Sequence, residues 1–270
     1  MPQFATCYLY GGLGNQLFQI FATIAYSMEH NLDFVFKYDT QLGKRPTYWN
    51  SFLASLIEHT TENIDYSQLF QLDQGTHGFV KMPPPNNNNI ILNGYFQSFR
   101  FFDTYFGAIT NKIRLSDMQD RLRPRINKNS ISLHFRRGDY KELPGCHPIL
   151  EIEYYMNALS YILTMDDEIT HVIYFCENED CVEIEETVVV HLKTEFRKCI
   201  FERHEEKTDW EEMLAMSCCK HHIIANSSFS WWGAYLNPCE SKIVCYPSLW
   251  FGPLISEDTS TMFPNNWIKM

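Results

Sequence analysis

The stretch from Thr6 to Tyr38 constrains the chain more than any other. Thr6 to Tyr10 has the character of a short buried strand, and Gly11, Gly12 and Gly14 follow at once. Leu17, Ile20, Phe21, Ile24, Ala25 and Met28 then recur at helical spacing. Asp33 to Tyr38 (DFVFKY) returns to strand character. Strand, glycine turn, helix and strand make one βαβ unit, which implies a parallel sheet.

The second half repeats the alternation without repeating the sequence. Ile131 to Phe135, His171 to Cys176, His222 to Ala225 and Ile243 to Tyr246 read as strands. Glu151 to Leu163, Trp210 to Lys220 and Phe229 to Leu236 read as helices, the second capped by Thr208 or Asp209. Thr187 to Leu192 is apolar and ambiguous. The middle is irregular. Pro83 to Pro85 followed by Asn86 to Asn89 reads as an exposed loop, and Ile90 to Leu92 resumes as a strand. Tyr95 to Phe106 is aromatic-rich and partly helical. The basic stretch Arg121 to Lys128, with Pro124 inside it, marks the junction between halves. The fold class is therefore α/β: two Rossmann-like domains, 1–127 and 128–270, facing across a cleft.

Composition narrows the partners. With 270 residues, 45% of them hydrophobic, the chain can bury a sizeable core. Its 20 Phe and 15 Tyr suit a packed interior, and equally suit stacking on sugar rings. A net charge of −11 argues against a general nucleic-acid binder, whose surface must be basic. The nine cysteines show no zinc spacing and read as reduced, buried thiols, which points to a cytoplasmic setting. The N-terminus reads as neither a signal peptide nor a membrane span.

Three clusters carry the chemistry, each at the end of an expected strand, where open parallel sheets bind ligands. The first is Gly11-Gly12-Leu13-Gly14-Asn15-Gln16. It is either a tight turn or a backbone cradle for an anion. Leu17 stands where a dinucleotide fingerprint needs its third glycine. The second is His134-Phe135-Arg136-Arg137-Gly138-Asp139-Tyr140. Two arginines beside a buried strand are costly unless they meet an anion, and guanidinium forks match phosphate oxygens. Asp139 would orient an arginine or accept a proton. The third is Ala225 to Gly233 (ANSSFSWWG), where small polar residues open a helix and two tryptophans follow. Its hydroxyls and N–H groups suit phosphate or ribose, or serve as a helix cap before a core-facing aromatic pair.

The three segments GGLGNQLFQ, HFRRGDY and ANSSFSWWGAYL, in this order, resemble the hallmarks of the α-1,2-fucosyltransferase family, glycosyltransferase family 11. The resemblance covers nearly the whole chain. It implies a GT-B-like fold and inverting transfer of fucose from GDP-fucose to a galactose hydroxyl of a glycan. It also implies that no metal cofactor is needed, and the chain has no Asp-x-Asp. The first domain would then serve the acceptor and the second the GDP-sugar donor. Carried over by residue, Arg136 would grip the β-phosphate, with Arg137 beside it, and His134 would brace the loop. Asn15, with Gly12 and Gly14, would sit where donor and acceptor meet. Asn226, Ser227 and Ser228 would hold pyrophosphate or ribose. Asp209, 18 residues before Ser227, resembles a guanine-reading carboxylate, or is only the helix cap. The base is Asp139 or Glu142; the segment KELPGCHP matches no pattern that would decide. His147 and the pair His221-His222 read as structural imidazoles. The rival readings are an inactive, lectin-like glycan binder and another nucleotide-dependent transferase. An epimerase would want a full dinucleotide fingerprint and a Tyr-x-x-x-Lys pair.

Overall fold

A computed structural model describes residues 3–75 and 78–270. The chain divides into two compact units. One runs up to Asp117 and takes in Glu257–Pro264; the other is Met118–Ser256 with Asn265–Met270.

The first unit is built on β1 (Phe4–Cys7), α1 (Leu13–His30), β2 (Asp33–Phe34), β3 (Phe70–Asp73) and β4 (Ile90–Asn93). The strand order is β2-β1-β4-β3, all parallel, with Ala5 opposite both Phe34 and Ile90. Helix α1 buries almost its whole length, including Gln16, Gln19, Thr23 and Ser27 among its apolar residues. It ends at Asn31 in the left-handed conformation (φ 53°), whose N–H donates to the Ser27 carbonyl.

The second unit has six parallel strands: β5 (Ser130–His134), β6 (His171–Phe175), β7 (Ile200–Arg203), β8 (His221–Ile223), β9 (Val244–Tyr246) and β10 (Ile268–Lys269). They lie in the order β7-β6-β5-β8-β9-β10. The chain thus starts in the middle, builds outward on one side, then returns to build outward on the other. That is the doubly wound order, and its switch point lies between β5 and β8. Helices α2 (Ile152–Met165), α3 (Asp209–Ser217) and α4 (Ser228–Tyr235) make crossovers, as does a helical run over 181–195. Strand alternation sorts β6 between two cores. Val172 and Tyr174 face Leu159, Ile162, Ile184 and Leu192, whereas Ile173 and Phe175 face Ala215 and Met216. Each such aliphatic side chain contributes about 1.5–3 kcal/mol by leaving water.

Both units are Rossmann-like, the α/β, GT-B-like composition expected from the sequence. Three details differ. Residues 118–127, expected in the first half, pack with the second unit. Gln119 donates to Ser217 Oγ (2.7 Å) and to the Leu236 carbonyl (3.0 Å), and Ile126 joins the Ala215 core. Conversely, Thr261 Oγ1 accepts from the Phe79 N–H in the first unit (2.8 Å). The strand read over Asp33 to Tyr38 breaks after Phe34, and Phe36–Lys37 pairs with Thr60–Thr61 instead. Finally, β3, β7 and β10 carry no strand pattern the sequence reading registered. They lie at sheet edges, where Phe70 and Ile200 are 45% and 52% exposed and no buried face repeats.

Candidate functional site

Strand β5 is buried along its whole length, and beyond His134 one more buried residue, Phe135, precedes the charged Arg136 and Arg137. His134 is buried, its ring 5.7 Å from that of Phe229, with Nδ1 unpartnered. Burial, with Arg136 nearby, pushes its pKa down to about 3, so the ring is neutral at physiological pH. Arg136 then turns one way and Arg137 the other. The Arg136 guanidinium pairs with Asp139 and with Glu177, and lies 4.9 Å over the Tyr140 ring. Burial works against its charge, but the two carboxylates outweigh this and raise its pKa. Arg137 pairs with Glu183, beside Lys141, which reaches Asp180 (2.7 Å) and Glu183 (2.6 Å). Asp180 also accepts from the Gly138 N–H (2.6 Å), where the turn takes a positive φ of 30°.

The serine turn leaves β8, on the other side of the switch point. Ser227 caps α4, its Oγ accepting from the Phe229 N–H (3.3 Å), and Ser228 opens the first turn. Asn226 is buried and donates to the carbonyls of Pro148 (2.9 Å) and Trp250 (3.3 Å). Its amide therefore ties together three loops. The Tyr140 hydroxyl donates to the Asn226 carbonyl (2.9 Å), which joins the arginine turn to the serine turn. His147 stacks on Tyr140, with centroids 4.6 Å apart and planes 18° apart. Arg136 and His147 thus both pack on the Tyr140 ring at the carboxyl edge of the sheet. Trp231 and Trp232 are fully buried, so the aromatic pair is core.

Asp209 lies in the loop edge after β7, at the start of α3. Thr208 is the cap residue, and the Asp209 carboxylate accepts from the Trp210 N–H (2.8 Å). The helix-start role is thus seen directly. Glu142 ends the turn after Gly138 and is exposed. His221 and His222 are structural, as expected. His221 Nδ1 accepts from the Ile243 N–H (2.9 Å), leaving Nε2 to face Asp166 (2.8 Å). His222 lies between Ser132 Oγ (2.7 Å) and the Asn237 amide (2.8 Å).

In the first unit the glycine turn follows β1. Gly11 has φ +83°, and a Cβ there would sit 2.6 Å from Asn15 Nδ2. Gly12 is the N-cap position of α1, and Gly14 is buried in its first turn. Asn15 Oδ1 accepts from Gln97 Nε2 (2.9 Å). Two buried glutamines hold the turn. Gln16 donates to the carbonyls of Gly11 (3.0 Å) and Pro46 (2.9 Å), while Gln19 accepts from the Tyr10 N–H (3.1 Å) and donates to its carbonyl (3.3 Å).

The family model described as glycosyl transferase family 11 matches residues 1–270. The chain belongs to that family. Among curated proteins, an O-antigen biosynthesis glycosyltransferase, WbnK, from Escherichia coli is 34% identical over 147 residues. That match covers 53% of this chain and 45% of the relative. An alpha-1,2-colitosyltransferase from Escherichia coli is 26% identical over 302 aligned positions, covering 97% of both chains. Among solved structures, NodZ alpha-1,6-fucosyltransferase soaked with GDP-fucose has a TM-score of 0.47 at 12% identity, covering 88% of this chain and 94% of that one. A mutant of Arabidopsis thaliana FUT1 in complex with GDP has a TM-score of 0.47 at 10% identity, covering 91% and 70%.

In this glycosyltransferase Arg136, Arg137 and Lys141 stand at the edge of the second unit's sheet beside the switch point, each in contact with carboxylates. Sequence reading does not mark Glu177, Gln97 or Gln19 as part of these turns, and it places Tyr140 and Gln16 in the clusters without a role. Gln16 and Gln19 stand on the buried face of α1, and for Gln19 a polar residue on that face is the signal that could have pointed to it. Among the described residues, no helix is long and apolar enough to cross a membrane.

Proposed function

We propose that this chain transfers fucose from GDP-fucose to a galactose hydroxyl of a glycan, in α-1,2 linkage, with inversion and without a metal ion. One observation carries the reading. The arginine turn and the serine turn open on either side of the β5/β8 switch point and are joined by Tyr140 to the Asn226 carbonyl. An anion there meets a guanidinium and the N-terminus of α4 together.

The chemistry asks for that combination. Displacement at the sugar carbon builds negative charge on the departing diphosphate, and Arg136 with the α4 N–H groups would stabilise it. Neutral His134 braces the strand end without adding charge. Arg137, turned toward Glu183, holds the turn, and Ser227 and Ser228 line it. Asp209 is assigned to the guanine. Of the two candidate bases, Asp139 is engaged by Arg136 and orients it, which leaves Glu142 to remove the acceptor proton, a step worth about 10²–10⁴-fold. The first unit, with Gly12, Gly14 and Asn15 on its glycine turn, is assigned to the acceptor.

A second reading concerns the donor sugar only. The alpha-1,2-colitosyltransferase relative matches this chain end to end, so colitose, which lacks the 3-hydroxyl of fucose, is the competing sugar. Calorimetry with GDP and UDP, in EDTA, tests the main reading. GDP should bind at least tenfold tighter and keep its affinity under chelation. Equal affinities, or binding lost with the metal, would remove GDP-sugar transfer without metal. Parallel transfer assays with the two GDP-sugars then choose between fucose and colitose, and transfer of neither would favour a glycan-binding protein.

A further inference from the structure

Glu177 lies two residues beyond β6, the neighbour of β5, and no motif marks it. Its carboxylate pairs with Arg136 Nη1, while Asp139 takes Nη2. The guanidinium is therefore held by carboxylates at both terminal nitrogens. The turn is shaped around this carboxylate. Any Cβ at Gly138 would overlap Glu177 Oε2, and Oε2 is buried without a hydrogen-bond partner. Glu177 thus enforces glycine at 138, in a backbone conformation (φ +30°) that other residues rarely adopt.

The charge balance of this network is unexpected for a phosphate grip. Arg136, Arg137 and Lys141 contribute three positive charges, and Asp139, Glu177, Asp180 and Glu183 contribute four negative ones, so 3 − 4 leaves −1. Three of these acids hold Arg137, Lys141 or the turn, or are local to Arg136 in sequence. Glu177 reaches Arg136 from the loop after β6 and adds a half-exposed carboxylate, one oxygen of which is buried without a hydrogen-bond partner, beside the place assigned to the diphosphate.

We propose that Glu177 is a positioning residue with two effects. It sets the plane of the Arg136 guanidinium toward the leaving diphosphate, and its charge weakens the hold on GDP after transfer, so that product leaves. The inference rests on the donor assignment given above. Orientation favours the transition state, whereas the like charge opposes bound GDP, whose freed β-phosphate carries more negative charge than the donor's diphosphate, more than it opposes the donor.

The test is Glu177→Gln, which keeps the shape and an acceptor but removes the charge. Calorimetry should show GDP binding about 10-fold tighter, since one unit charge within contact range is removed. kcat should fall with the donor KM, and a burst of transfer should precede a slow steady state limited by GDP release. Glu177→Asp restores the charge and should return GDP affinity toward that of the unaltered protein. A purely structural role would lower Tm and weaken GDP binding instead. GDP affinity that is unchanged or weaker in a folded Glu177→Gln overturns the proposal. Glu177→Ala is the second variant and must also bind GDP more tightly. Failure of both the Gln and Ala variants to fold would make Glu177 a folding determinant and overturn it too. If the unaltered protein binds no GDP, the donor assignment itself has failed; if it binds GDP and the variants bind equally, only this inference has.

Discussion

The glycine turn after β1 and the arginine turn after β5 occupy equivalent places, each beyond the first strand of a parallel sheet. They are held by different forces. The glycine turn is pinned by neutral amides: Gln16 and Gln19, 1% and 0% exposed, close hydrogen bonds onto the backbone of Tyr10, Gly11 and Pro46. The arginine turn is pinned by ions, with Arg136 and Arg137 on carboxylates from other elements. Neutral hydrogen bonds in a dry interior ignore salt and pH, whereas ion pairs at an edge exchange partners when a stronger anion arrives. On the donor assignment proposed above, the first turn keeps a shape and the second receives a charge. Substitutions should therefore cost stability in the first and function in the second.

The largest stability effect expected from this contrast is at Gln19. Gln19→Ala would leave the Tyr10 N–H and carbonyl without their partners and open a cavity, at a cost of about 2–4 kcal/mol in chemical denaturation. Arg137→Lys, which keeps a cation near Glu183, should change stability by less than about 1 kcal/mol. Equal losses at the two sites would dissolve the distinction.

A smaller effect is a pH dependence at the end of β5. The His134 pKa is lowered by burial from 6.5 to about 3, so the folded protein keeps the ring neutral while the unfolded chain protonates it. The stability tied to that ring is fully present above pH 6.5 and is lost as pH falls toward 3, at about 1.4 kcal/mol per pH unit. At pH 5 the loss is about 2 kcal/mol relative to pH 7. His134→Phe keeps a ring against Phe229 and removes the proton site. Its unfolding free energy should fall less steeply over that range, and matching slopes would show that His134 is not the group responsible.

The sequence made the edge of the second sheet legible for a physical reason. Cations directly after a buried strand stand out, and so do small hydroxyl residues before an aromatic helix. The buried core of α1 and the order of strands and helices around it were equally plain. The edge strands β3 and β7 were not, because Phe70 and Ile200 face solvent and give no alternation. Nor was Glu177, since its pairing with Arg136 joins residues 41 apart and depends on β6 lying beside β5. The linkage from Tyr140 to Asn226 spans 86 residues and exists only once the switch point has formed. His221 and His222 were legible as structural, and their partners Asp166, Ser132 and Asn237 came only with the fold.

The central claim is that Arg136 grips a diphosphate at the β5/β8 switch point. Steady-state kinetics of Arg136→Lys, with Arg137→Lys as the comparison, test it most directly. Lysine keeps the charge but loses the planar fork that faces Asp139, Glu177 and the anion. The account predicts that transfer from GDP-fucose to a galactose-ended acceptor falls by about 10²-fold or more in kcat, about 2.7 kcal/mol, for Arg136→Lys. Arg137→Lys should stay within a few-fold of the unaltered enzyme. Near-normal kcat in both variants, with both proteins folded, would contradict it.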